Sequence, residues 1–268
     1  MAGDLTISTI NGGAIGAKNA LINGNFGINQ RAVSGTVTLS AGAYGHDRFK
    51  AGASGCTYTF TTSNNITTLT ITAGSLIQVI EGINLQSGTY TLSWTGTAQG
   101  KIGGGSYAGS GVTGTVTGGT NLNIEFDTGT LSLVQLEAGS VATPFEHRQY
   151  GQELALCQRY YYRITPGNND GAFGAGYVEA TNRLDVFIPF PVVLRIVPTA
   201  LEQSGTAANY EARYLAAAAV CNLVPVTITL GSSGAVVGFQ VASGLTGGQG
   251  GYGRATNTTA FLAWSAEL

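Results

Sequence analysis

The chain has 268 residues, room for one large or two ordinary domains, and only 10% of them are charged, against about 25% in an average soluble domain. A net charge of −2 leaves no basic face for the phosphates of a nucleic acid. Hydrophobic residues still make up 43%, so the low charge does not signal disorder, and no run of about 18 apolar residues offers a membrane span.

Gly contributes 41 residues, and short β-branched runs alternate with Gly, Ser and Asn turns, the pattern of an all-β architecture. Cys56, Cys157 and Cys221 are odd in number and lack paired spacing. They are predicted to be buried thiols of a protein assembled in a reducing cytosol. The opening MAGDLTISTINGG has neither the basic n-region nor the apolar h-region of a secretory signal.

In chain order, Met1–Lys18 is polar and Gly-rich and is predicted to be a connector. Asn23-Gly24 is a strong turn dipeptide. From Leu21 to about Glu146 the predicted strands are Thr36–Ser40, Arg48–Ala51, Thr57–Thr62, Thr67–Thr72, Leu76–Glu81, Gly88–Trp94, Gly111–Thr117, Asn121–Asp127 and Leu131–Glu137. Their short spacing suits a sandwich or jelly roll. Tyr90, Leu92 and Trp94 share a strand face, which places Trp94 in the core. His46, Asp47 and Arg48 are adjacent, so they cannot converge from one strand face, and no second His or Cys stands at ligand spacing. They are predicted to hold the start of a strand through an Asp–Arg pair. Lys101–Thr120 is a Gly-rich hairpin without a phosphate-cradling Gly-Lys-Ser/Thr; its Tyr107 is a candidate for stacking on a sugar. Glu125 and Asp127 share a strand face but read as surface carboxylates rather than the facing pair of a glycosidase. No Gly-x-Ser-x-Gly elbow or paired-Cys motif is present.

Pro144 bars a helix through the next stretch. After Gly151, Glu153–Arg159 are good helix formers, with Leu154, Cys157 and Tyr161 on one face, so a short linking helix is predicted over 149–164. Beyond it, strands are predicted at Ala172–Glu179, Arg183–Pro189, Pro198–Leu201, Leu223–Leu230, Gly238–Ser243 and Ala260–Glu267. A short helix is predicted at Ala212–Val220, and Thr246–Thr259 is a Gly-rich loop carrying Tyr252 and Arg254.

Three stretches look familiar. NALINGNFGINQR (Asn19–Arg31), the joint VQLEAGSVATPFEHR (Val134–Arg148) with YGQELALCQRYYYR (Tyr150–Arg163), and the final AFLAWSAEL resemble segments of tail-fibre and receptor-binding proteins of tailed bacteriophages and prophages. The resemblance implies an all-β chain of two β-sandwich or jelly-roll domains joined by one short α-helix, in a homotrimer. It implies a connector (1–18) docking onto a tail or baseplate protein, a jelly-roll module of carbohydrate-binding type (19–148), the linking helix (149–164) and a receptor-binding β-sandwich (165–268). Such a protein is made in the host cytoplasm, sits in the virion, and attaches it to a bacterial surface polysaccharide or lipopolysaccharide without catalysis or cofactor. The alternative is a structural virion component, such as a baseplate or capsid-decorating protein; a glycan depolymerase fits less well, since no β-helix repeat is visible. Many jelly-roll carbohydrate modules hold a structural calcium. The corresponding stretches here supply Asn23, Asn25, Gln135 and Glu137, a set with too few carboxylates for Ca²⁺, and no metal site is predicted. Aromatic anchors are expected on loops of the second module: Tyr177, Tyr210, Tyr214 and Tyr252, with Arg254 as polar partner, and Tyr107 in the first. The competing reading of each is a core or subunit contact. Val192, Val193, Leu194 and Ile196 are expected to be buried between subunits.

Overall fold

The computed structural model describes residues 9–10, 13–14, 18–215 and 217–268; the rest of the connector expected over Met1–Lys18 lies outside them. The chain is all-β, with 20 strands and one α-helix among the described residues. It divides into two compact units, Met1–Cys157 and Gln158–Leu268.

In the first unit, β1 (Thr9–Ile10) and β2 (Gly13–Ala14) form a two-stranded ladder. The main sheet comprises β3 (Val37–Leu39), β4 (Phe49–Ser63), β5 (Ile66–Ile80), β6 (Gly88–Thr95), β7 (Gly100–Ile102), β8 (Val112–Val116), β9 (Leu122–Phe126) and β10 (Gly129–Ala138). Its order is β3-β4-β5-β10-β6-β8, with β9 beside β5 and β7 beside β9. Four runs predicted as separate strands are here two strands of 15 residues, β4 and β5. Asn64 and Asn65 turn this long hairpin with φ of 51° and 60°, the double positive φ of a type I′ turn. Gly55 and Gly74, both at left-handed φ, bend it where the ladder slips, which is why the sequence reads as interrupted.

β10 belongs to two ladders. It pairs with β5 through Leu131 and then with β6 from Ser132 onward, with a register shift at Leu133, whose φ is 50°. Leu131, Val134 and Leu136 thereby enter one core with Tyr58, Trp94 and Phe126. Trp94 is in the core as expected, its indole N–H donating to Ala98 O at 3.0 Å.

The segment before β3 is tied to β10 and to the joint that follows it. Asn19 Nδ2 donates to Val134 O (3.0 Å), while its Oδ1 takes the N–H groups of Leu21 and Leu136. Asn23 closes its own loop onto Ile28 and donates to Asp47 O. A Cβ on Gly24 would stand 2.1 Å from Val134 O, so no side chain fits there. Glu146 accepts the backbone N–H groups of Lys18 and Asn19. Arg148 donates to Leu21 O at 3.0 Å and to Asn19 O, and lies 3.3 Å from Glu153; Glu153 accepts the Asn23 N–H.

The helix α1 (Tyr150–Gln158) is shorter than the span 149–164 predicted for it. Its buried positions are Glu153 and Cys157, with Leu154 and Leu156 only half-buried. A carboxylate one turn from a thiol docks it, not the apolar stripe expected from Leu154, Cys157 and Tyr161. Tyr161 begins a strand.

The second unit holds β11 (Tyr161–Ile164), β12 (Ala172–Ala180), β13 (Arg183–Pro189), β14 (Glu202–Gln203), β15 (Tyr210–Tyr214), β16 (Ala217–Val220), β17 (Val226–Leu230), β18 (Gly234–Gln240), β19 (Gly250–Ala255) and β20 (Leu262–Ser265). Seven form an antiparallel sheet, β16-β15-β19-β12-β13-β18-β17; β11-β20-β14 form another. Leu184, Val186, Val237, Phe239, Tyr210 and Trp264 lie in its core. The helix predicted at Ala212–Val220 is instead the β15–β16 hairpin, and the loop predicted over Thr246–Thr259 contains β19. Glycine misled the second prediction. The Phe239 ring packs over Gly253, where a Cβ would lie 2.5 Å from it, so a strand poor in side chains is what the core needs. Pro198–Leu201 is irregular, and Leu194 is core rather than an exposed contact.

In the first unit His46, Asp47 and Arg48 are all buried. Asp47 accepts the Gln30 N–H at 2.8 Å and Arg48 donates to Val79 O at 2.7 Å. The Tyr58 hydroxyl sits 3.0 Å from His46 Nδ1, and burial pushes the imidazole down to about 4. Unfolded, this His binds its proton near 6.5. Between those values the unfolded chain therefore holds the extra proton, and stability falls as pH falls.

Two predictions follow from these buried polar groups. Thermal unfolding followed by circular dichroism is expected to lose about 3 kcal/mol from His46 alone between pH 7 and pH 4, a slope that His46→Gln flattens. Glu153→Ala removes the acceptor of the Asn23 N–H and one of the two carboxylates paired with the buried Arg148, leaving Glu146; it is expected to lower stability by about 1–3 kcal/mol in denaturant titration.

Candidate functional site

Alternation along β12, β13, β18 and β19 gives the seven-stranded sheet a buried face and an open one. Val178, Leu184, Val186, Val237 and Phe239 point into the core. Tyr177, Phe187, Val226, Ile228 and Tyr252 are exposed on the other side. The registers place Val236, Phe187, Ala175, Tyr252 and Arg213 in one row across five strands. In the next row Asp185, Tyr177 and Gly250 follow one another. Tyr177 and Tyr252 are thus diagonal neighbours on adjacent strands, at positions about 7–8 Å apart in a regular ladder. Gly250, opposite Tyr177, covers neither ring. Tyr177 is 52% and Tyr252 36% exposed.

The candidate residues separate on this basis. Tyr177 and Tyr252 share the open face, but as strand residues rather than loop residues. Arg254 is on the same face, yet it is not a free polar partner: it pairs with Glu211 and, at 2.8 Å, with Asp170. Tyr210 is fully buried, its hydroxyl donating to Phe261 O (2.7 Å) and accepting the Ser204 N–H (2.9 Å), so it is a core residue and no ligand contact. Tyr214 falls on the inner side of β15, and its hydroxyl donates to Gly244 O at 2.6 Å. The side chain that sequence reasoning missed is Arg213, directly across from Tyr252 and without a side-chain partner among the described residues. Its signal was parity: in YEARY, Arg213 alternates with the buried Ala212.

Two acidic groups edge the tyrosine pair. Asp185 is held by Arg183 at 2.7 Å. Glu179 accepts the Tyr177 hydroxyl, a hydrogen bond that with the carboxylate charge holds that phenol above its ordinary range. Two open rings, one unspent guanidinium and one carboxylate suit stacking on the C–H face of a sugar ring with hydroxyl contacts at its edge.

Tyr107 belongs to the first unit. Lys101 Nζ stands 4.5 Å from its ring centre and 2.9 Å from Glu125. Glu125 also accepts the Ser75 hydroxyl at 2.6 Å. Burial raises the Glu125 carboxyl, but hydrogen bonds from Ser75, Lys101 and Tyr107 outweigh it and hold it below the usual range. Burial and the Glu125 bond push the Tyr107 phenol up to about 12. Glu125 is therefore an ionised, saturated acceptor, and Asp127 accepts the Gln99 N–H at 2.7 Å. The Glu125 carboxyl is thus not set to deliver a proton.

Glu137 is likewise engaged, by Thr143 through both N–H and hydroxyl and by Gln135 Nε2. Among the described residues no group of three or more His, Cys, Asp or Glu is placed to hold a metal ion. All three cysteines are buried outside any disulfide, and burial pushes the Cys56 thiol up to about 11 and the Cys221 thiol up to about 12. No helix among the described residues is long and apolar enough to cross a membrane.

No family model, no curated protein and no solved structure matches this chain.

Tyr210→Phe leaves Phe261 O and the Ser204 N–H without their partner. It is expected to cost about 1–3 kcal/mol in thermal unfolding while leaving every ligand contact of the open face intact.

Proposed function

We propose that the chain is a non-enzymatic attachment protein of a tailed bacteriophage or prophage, binding a bacterial surface polysaccharide or lipopolysaccharide through the open face of its second unit. The observation that carries the reading is the diagonal Tyr177–Tyr252 pair, exposed on a sheet where Arg183 pairs with Asp185 and Arg254 with Glu211 and Asp170, leaving Arg213 and the Tyr177-bound Glu179 at its edge. Rings flanked by short polar contacts recognise hydroxyl-rich ligands at low entropic cost. The segments that resemble fibre proteins support the same reading: residues of Asn19–Arg31 and of the joint meet in one buried network.

On this reading the protein acts as a homotrimer in the virion, docked through residues 1–18 to a tail or baseplate protein. Several weak sites acting together turn modest affinity into firm attachment. The half of the open face bearing Phe187, Val226, Ile228 and Val236 is apolar and favours a contact between copies. That feature also sustains a second reading, a structural virion component without a receptor.

The test is adsorption of purified protein to host cells and to their extracted polysaccharide. Tyr177→Ala and Tyr252→Ala are each expected to reduce binding about tenfold or more, the loss of one stacking contact of about 1.4 kcal/mol, with the melting temperature unchanged. Adsorption unaffected by either substitution contradicts the reading, and absence of binding by the intact protein favours the structural one.

A further inference from the structure

The first unit carries a cleft that none of these arguments uses. It has a volume of about 580 Å³, within the range of small-molecule sites. Its floor is aromatic and uncharged: Phe26, Phe60 and His46, with His46 in edge-on contact with Phe60 at 4.6 Å. One rim is the tip of the β4–β5 hairpin with Asn64 and Asn65, and Asn25 stands beside it. The other rim is the joint before α1, with His147 and Tyr150.

The polar atoms here divide into spent and unspent. Arg148 and Glu153 line the cleft, but each is committed to the other and to backbone groups of Leu21 and Asn23. His46 Nδ1 is taken by Tyr58. By contrast the side-chain amides of Asn64 and Asn65, Asn25 Nδ2, the Tyr150 hydroxyl and the His147 ring nitrogens have no hydrogen-bond partner among the described residues. Tyr150 is 68% exposed, so its ring is open to a ligand at the rim.

We propose that this cleft binds one unit of a neutral saccharide, its ring faced by Tyr150 and the aromatic floor and its hydroxyls met by Asn25, Asn64 and Asn65. The two charged side chains of the lining, Arg148 and Glu153, balance each other, and Arg148 also faces Glu146, so neither an anion nor a cation meets an uncompensated charge. A sugar hydroxyl donates and accepts at once, as an amide side chain does, which matches the unspent groups. The hairpin tip is also pre-ordered. The left-handed φ of Asn64 and Asn65 belongs to a tight turn of the hairpin, so no long loop has to be ordered on binding. This site stands on the first unit alone and does not depend on the tyrosine pair of the second.

The experiment is saturation-transfer NMR on the intact chain with glucose, galactose, mannose, rhamnose and N-acetylglucosamine, and with glucuronate as the charged counterpart. At least one neutral sugar is expected to give a signal that persists in the Tyr177→Ala/Tyr252→Ala protein. The signal is expected to weaken about tenfold or more in Tyr150→Ala and in Asn64→Gly/Asn65→Gly, the latter keeping the turn geometry while removing both amides. Melting temperatures of the variants confirm that each is folded. A signal indifferent to the cleft substitutions, a preference for glucuronate, or no signal from any neutral sugar overturns the proposal. Loss of sheet-face adsorption in Tyr177→Ala/Tyr252→Ala, with the cleft signal retained, bears only on the other site.

Discussion

The buried pair of Arg148 and Glu153 is the constraint on which the first unit is arranged. Arg148 has a side chain only 6% exposed. A guanidinium so placed is tolerable only if its hydrogens find acceptors. Leu21 O, Asn19 O, Glu146 and Glu153 supply them for its two terminal nitrogens, and Glu153 in turn holds the Asn23 N–H. This fixes the start of the domain against its end, so that Asn19 can bridge to Val134 and Leu136 and β10 can pass from β5 to β6. The charges are not there for solubility. They specify how chain ends far apart in sequence meet.

The same economy recurs in the second unit. A chain with 10% charged residues has few to spend, and several around the open sheet face lie in pairs: Arg183 with Asp185, Arg254 with Glu211 and Asp170. What remains on the open face is mostly neutral, with Arg213 and Glu179 at its edge. Rings, amides and hydroxyls are the groups left to meet a ligand, and they suit a surface that other molecules present as hydroxyls. The sheet face and the cleft on the first unit are two expressions of one composition.

Much of this was legible. The alternation of Leu184, Val186 and Ile188 and of Tyr90, Leu92 and Trp94 marks strands with one buried face, and those strands form as read. The failures have physical causes. Gly55 and Gly74 look like breaks but are bends inside continuous strands. Gly251 and Gly253 look like loop but are strand positions where aromatic and leucine side chains need room. Ala212 and Ala217–Val220 look helical, yet pairing of β15 with β19 and of β16 with β15 decides their conformation, as tertiary context overrides propensity. The site was half legible for the same reason. Tyr177 and Tyr252 differ from Tyr210 and Tyr214 only in strand parity, and parity depends on strand limits that glycine obscures. The cleft was not legible, because Asn64 and Asn65 fall in a gap between two predicted strands, and nothing local brings them to His147 and Tyr150.

The central claim is that attachment rests on ring stacking and hydroxyl contacts rather than on charge, because most ion-pairing groups near the tyrosine pair already have partners. The salt dependence of adsorption to isolated surface polysaccharide tests it most directly. Between about 0.01 M and about 1 M salt the Debye length shrinks from roughly 30 Å to roughly 3 Å. The account predicts an affinity that stays within about twofold across that range, less than about 0.5 kcal/mol. A steep fall in affinity with salt would contradict it, since that would mean that charged side chains carry the recognition.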